Sequence, residues 1–247
     1  MNFIDSDNEI IDASKFIEIW SKKYYQYTNI TDKYYFDILK DIAERTDATM
    51  ILTRIGAWKT NSLSTNSNRY SEEREIYRCS CEKPAVLCLT GMWKKGTSSG
   101  YEVWIKLSER FYNDIERIKI DSDAEEIINK ISEMRYSGPR GKNIRFGKIY
   151  SYTYLHFLAP DKYFILDKFN KIALEFLKQP SKPSLPFSNE MKVNTFEDYL
   201  EYNEMIKTIQ KNAREENNRN VDKALWSFGH WLKDQKERKE KIVCCKT

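Results

Sequence analysis

The sequence predicts a mainly α-helical protein with one small β-hairpin insertion. Three observations predict it. Apolar residues recur at three- and four-residue steps through most of the chain, as in Ile17, Trp20, Tyr24 and Tyr27, the spacing that lines one face of a helix. A two-residue alternation occurs in one place, Tyr101 to Leu107. Eight Gly and six Pro in 247 residues are too few for the turns of a loop-rich all-β sandwich.

Along the chain, Ile17 to Tyr27 reads as a first helix. Tyr35, Ile38, Leu39 and Ile42 mark a second, with Thr31-Asp32 at its N-cap. The polar stretch Thr60 to Ser71 reads as a long surface loop, a length at which loops are often functional. The short apolar run Ala85 to Leu89 and the alternating Tyr101 to Leu107, joined by the turn chemistry of Lys94 to Gly100, form the expected hairpin. Ser108 to Ile118 is amphipathic. Asp121 to Glu125 opens a helix, with Ser122 and Glu125 spaced as a capping box, that runs to about Tyr136 and stops at Ser137-Gly138-Pro139. Further helices are expected over about Arg145 to Leu158 and Asp167 to Lys178. Pro180, Pro183 and Pro186 make a rigid connector. Thr195 caps a helix to about Ala213, and Asn220 one that starts at Val221 and enters a charged, solvated tail. No repeat of fixed period is present.

Composition excludes several function classes. A hydrophobic fraction of 40% with 32% charged residues is a globular balance rather than a disordered one. No run approaches 18 apolar residues, so no membrane partner is expected. Met1 to Asp7 carries acids where a signal peptide needs a basic start, which predicts a cytoplasmic chain. The five Cys, an odd number, then read as reduced thiols. The two His, His156 and His230, are remote from the cysteines and from each other, so neither a metal nor a cofactor is expected. His156, amid Tyr154, Leu155 and Phe157, reads as a hydrogen-bonded core residue.

Charge is more telling locally than in total. The net charge is only +4, yet Met134 to Pro160 holds Arg135, Arg140, Lys142, Arg145 and Lys148 with no acid, together with Gly138, Gly141 and Gly147. A tight turn between helices that is rich in Gly and basic residues can present backbone N–H groups to a phosphate at a helix N-terminus. Gly138 and Gly141 permit close backbone approach; Arg140, Lys142 and Arg145 are then phosphate contacts, or else a solvated loop. Downstream, Asp167 follows the apolar Phe164-Ile165-Leu166, and is either the N-cap of the next helix or a deliberately placed charge. A nuclease would want clustered carboxylates for metal. Glu72-Glu73, Asp121/Asp123 and Glu125/Glu126 read instead as surface acids.

The segment Phe146 to Asp167 resembles the hairpin, second helix and catalytic-Asp segment of the helix-hairpin-helix DNA glycosylases (the HhH-GPD superfamily), particularly the 8-oxoguanine-glycosylase-like proteins of bacteria. Asn220 to Trp226 is similar to the closing helix of some members. The two patches cover about a third of the chain. The resemblance implies a single two-lobed glycosylase-like domain over 1–247, with one lobe of roughly 1–120 plus 180–247 and another of 121–179 carrying hairpin and Asp. It implies Asp167 as the catalytic carboxylate and Lys148, 19 residues before it, as a possible nucleophile. It also implies Gly138, Arg140, Gly141, Lys142 and Arg145 as the DNA grip, and Trp226 and His230 as lining for an extruded base. The chain departs from the family in lacking a close G-x-G hairpin, since Gly141 and Gly147 are far apart, and in having Thr153 where some members carry the lysine. Attack by water therefore stays open beside attack by Lys148.

The expected activity is hydrolysis of the N-glycosidic bond of a damaged or modified base flipped from double-stranded DNA. The expected protein is a monomer, working in repair or against phage DNA with modified bases. A non-catalytic DNA-binding module that keeps the same grip is the alternative. The residue types suit the chemistry: breaking that bond develops oxocarbenium charge on the sugar, which a carboxylate stabilises. A lysine nucleophile must be neutral to attack, and the target base must leave the stack.

Overall fold

Helices dominate because the apolar spacing is helical almost throughout. The computed structural model describes residues 1–28, 32–59, 70–71, 76–77, 101–118, 121–137 and 143–244. Among these it has nine α-helices and two short antiparallel strand pairs. The chain divides into two compact units, Met1–Tyr27 with Tyr163–Thr247, and Thr28–Lys162. These cuts differ from the lobe boundaries expected near residues 120 and 180.

In the first unit α1 (Ala13–Lys23) starts at Asp12, whose carboxylate accepts from the Lys15 N–H at 2.8 Å, satisfying an orphan donor of the first turn. It buries Phe16, Ile17 and Trp20. α7 (Lys168–Leu177) follows Asp167. α8 (Phe196–Ala213) opens at the expected Thr195 with a complete capping box to Asp198. α9 spans Asn218–Cys244, and its Phe228 packs against Phe16, Trp20 and Phe176 with ring centroids 5.1–5.3 Å apart.

The second unit holds α2 (Asp32–Ala43), α3 (Ala48–Lys59), α4 (Tyr101–Arg117), α5 (Asp121–Ser132) and α6 (Lys148–Leu158). α3 has no counterpart among the expected elements. α6 is its central helix, buried on every side from Ser151 to Leu158. Two of its buried hydroxyls bond within the helix: Ser151 and Thr153 donate to the carbonyls of Gly147 and Ile149 at 3.0 and 2.9 Å. Tyr154 donates to Asp114 of α4 at 2.9 Å, while Arg110 clasps the same carboxylate with two bonds. The Tyr35 hydroxyl meets His156 Nε2 at 2.8 Å, so His156 is the hydrogen-bonded core residue expected.

Several expectations are corrected. Tyr101 to Leu107 is the start of α4, not a strand of a hairpin. Val103, Leu107, Phe111, Asp114 and Ile118 are all buried, at helical steps, and the apparent alternation is the part of that pattern where both periods coincide. Ala85 to Leu89 and the Lys94–Gly100 turn lie outside the described residues. The hairpin that does form pairs β3 (Arg135–Ser137) with β4 (Asn143–Arg145), in the register Arg135↔Arg145, Tyr136↔Ile144 and Ser137↔Asn143. It takes residues expected in the end of one helix and the start of the next, so α5 stops at Ser132 and α6 begins at Lys148. α5 opens at Asp121, which puts Ser122 inside its first turn rather than at an N-cap. Of the polar stretch from 60 to 71, Tyr70–Ser71 pair with Ile76–Tyr77 as β1 and β2, and 60–69 lie outside the described residues. Among the described residues no helix is long and apolar enough to cross a membrane.

Candidate functional site

Asp167 ends an extended connector whose backbone has no strand partner, and a buried backbone must find partners elsewhere. Tyr163, Phe164, Ile165 and Leu166 are all buried. The Phe164 N–H donates to Asn203 of α8 at 2.8 Å, and its carbonyl accepts from the Tyr199 hydroxyl. The Ile165 carbonyl accepts from the Tyr202 hydroxyl at 2.6 Å. Burial pushes the ionisation of that Tyr202 hydroxyl far above the usual tyrosine range. α8 thus supplies the polar partners that a sheet would otherwise give, and delivers Asp167 to one place.

There Asp167 is the N-cap of α7: its backbone is extended and its carboxylate accepts from the Phe169 N–H at 2.9 Å. A negative side chain is favoured at a helix N-terminus. The two sequence readings of this residue, cap and placed charge, are therefore compatible.

Beside it lies a cluster of rings. His230 of α9 is sandwiched between Phe169 (centroids 3.4 Å, 19° between planes) and Tyr27 (4.8 Å, 25°), with Trp226 at 4.1 Å. Trp226 also meets Phe169, Tyr27 and Tyr24 at 5.8, 6.2 and 5.0 Å. Lys233 stands over the Phe169 ring at 5.9 Å. Burial pushes the His230 pKa down to about 4; Asp167 opposes that shift and Lys233 adds to it. The imidazole is therefore neutral near pH 7, and its Nε2 is buried without a hydrogen-bond partner. α9 comes this close to α7 because residue 229 is Gly: a Cβ there would collide with the Phe169 carbonyl.

The structure thus brings Asp167, Trp226 and His230 together in the first unit. Lys148 and Arg145 belong to the second. Lys148 is the exposed first residue of α6, preceded by Gly147 at φ 82°, a conformation that favours glycine. Arg145 is exposed on β4 and pairs across the hairpin with Glu133 at 3.3 Å. The first-helix side of that hairpin therefore supplies an acid just outside the acid-free stretch. Gly138, Arg140, Gly141 and Lys142 lie outside the described residues.

Sequence reasoning missed Phe169, Tyr27 and Gly229. Gly229 carried a signal, as a lone glycine inside an apolar helical pattern, which marks a close backbone approach. Among the described residues no three His, Cys, Asp or Glu cluster as metal ligands would. A groove of about 330 Å³ on the first unit is lined by Ser14, Glu18, Lys22 and Glu215 among others, and by none of the residues around Asp167. The chain matches no protein-family model, no curated protein and no solved structure.

Proposed function

We propose that the protein is a DNA glycosylase that hydrolyses the N-glycosidic bond of a damaged or modified base extruded from double-stranded DNA. The observation that carries the reading is Asp167, a carboxylate on a locked connector at a helix N-terminus, flanked by the rings of Phe169, Trp226 and His230. A rigid carboxylate is what a sugar developing oxocarbenium charge requires, because a preorganised charge needs no reorganisation at the moment of reaction. Aromatic faces suit a base taken out of its stack. The resemblance of Phe146 to Asp167 to the helix-hairpin-helix glycosylases supports the same reading.

In this reading Asp167 stabilises the sugar and orients the attacking group, which is water or a neutral Lys148. Arg140, Lys142 and Arg145 contact phosphates, with Gly138 and Gly141 admitting the backbone. Trp226 and His230 meet the base. The biological role is repair of damaged bases or attack on phage DNA that carries modified ones. The protein acts as a monomer and needs no metal.

One observation favours the non-catalytic reading, a module that only grips DNA: His230 fills the space between Tyr27 and Phe169, so the ring cluster is packed on itself. Incubation with genomic DNAs of different modification chemistry, with mass spectrometry of the released bases, separates the two. A glycosylase releases one class of modified base and leaves abasic sites. Binding to every DNA with no base released from any would leave the module.

A further inference from the structure

Asp222 of α9 is 8% exposed and Arg219, one turn before it, 3%. Ionised groups this deep are costly and persist only when their bonding is nearly complete. One Asp222 oxygen accepts from Arg219, and the other accepts from the Asn170 amide at 2.9 Å. Asn170 is fully buried in the first turn of α7, and the same amide nitrogen reaches the Ile165 carbonyl at 3.5 Å. The amide has one sensible orientation, since both neighbours accept. Turning it would set its oxygen, which has no partner, against the carboxylate.

The bonds from Asp222 therefore reach the chain on both sides of Asp167: the α7 turn after it, and the Ile165 carbonyl before it. That carbonyl is also where the Tyr202 hydroxyl is bound. Fastening α7 to α9 does not by itself require this arrangement, because the Gly229–Phe169 approach and the Phe176–Phe228 ring contact already join the two helices.

We propose that Asp222 is a positioning residue, which acts through Asn170 to fix the backbone on both sides of Asp167 and so the direction of its carboxylate. The proposal rests on the reading of Asp167 as the reacting carboxylate. Asp222 itself touches no substrate, and Arg219 serves as its counter-ion.

The test uses the full chain with Asp222→Asn and, separately, Asn170→Ala, which breaks the link but leaves the buried ion pair whole. NMR follows amide exchange at Phe169 and the Asp167 carboxyl carbon, the latter assigned by its loss in Asp167→Asn. Both variants should exchange the Phe169 amide about tenfold faster or more and shift the Asp167 signal, with α8 and the second unit unchanged. On a cleavable DNA, kcat should fall about tenfold or more while DNA affinity stays at the wild-type value. Unchanged Phe169 exchange in both variants, or exchange accelerated equally throughout the first unit, would overturn the proposal. A wild-type protein that releases no base would instead defeat the glycosylase reading, and the NMR result would still decide whether Asp222 positions Asp167.

Discussion

At Asp167 the cap and the proposed chemistry are separable. Asp167→Asn keeps an oxygen for the Phe169 N–H and removes the charge, so urea unfolding should move by no more than a few tenths of a kcal/mol. Asp167→Ala also loses the cap and should cost about 1 kcal/mol. Both should lower base release by roughly 10² or more, the scale of losing a preorganised electrostatic contact. His230 predicts a pH effect on the fold. Its pKa falls from an ordinary 6.5 to about 4 through burial, so the unfolded chain binds the proton more readily. The resulting stability is fully present above pH 6.5 and is lost as pH falls toward 4. Because the ring is partly exposed, the loss should be on the order of 1 kcal/mol. Replacing His230 by Phe should flatten this limb of a pH–stability curve, and an unchanged limb would assign it to other groups.

At the scale of elements, what was legible depended on how local the deciding contact is. α7 and α8 are visible in the sequence because Asp167 and Thr195 announce their own first turns. α4 was misread at its start, because the seven residues Tyr101 to Leu107 fit both periods and only the continuation through Phe111 and Ile118 decides. The β3–β4 pair was missed because it is stabilised across the turn, by residues that as single segments extend helices on either side. For the site, Asp167 stands out in the sequence by its place after Phe164-Ile165-Leu166, whereas Trp226 and His230 are named only through the resemblance of their helix to the glycosylases. Phe169 and Tyr27 do not stand out, since Tyr27 comes to His230 from the turn after α1 and Phe169 only because α9 approaches α7 so closely. That approach makes its own prediction. Gly229→Ala forces a methyl into the Phe169 carbonyl and should cost about 3 kcal/mol in urea unfolding. A loss within about 0.5 kcal/mol, the range of ordinary surface substitutions, would show that the helices can separate freely.

At the scale of the whole molecule, net charge says little and its placement says more: +4 in total, with an acid-free basic stretch between Met134 and Pro160. If Arg140, Lys142 and Arg145 each neutralise a phosphate, replacing all three by Ala should reduce the slope of log affinity against log salt by about 3, whatever the DNA sequence. An unchanged slope would put the grip elsewhere. Lys148 divides the two mechanisms. Attack by its amine would leave a covalent adduct that borohydride traps and that Lys148→Gln does not form, whereas attack by water leaves none. The central claim is that the carboxylate of Asp167 drives base release, and an abasic-site assay on one modified DNA tests it most directly, with wild-type and Asp167→Asn proteins matched for DNA affinity. The account predicts abasic sites from the wild type and a loss of roughly 10² or more in the variant; equal rates from the two proteins would contradict it.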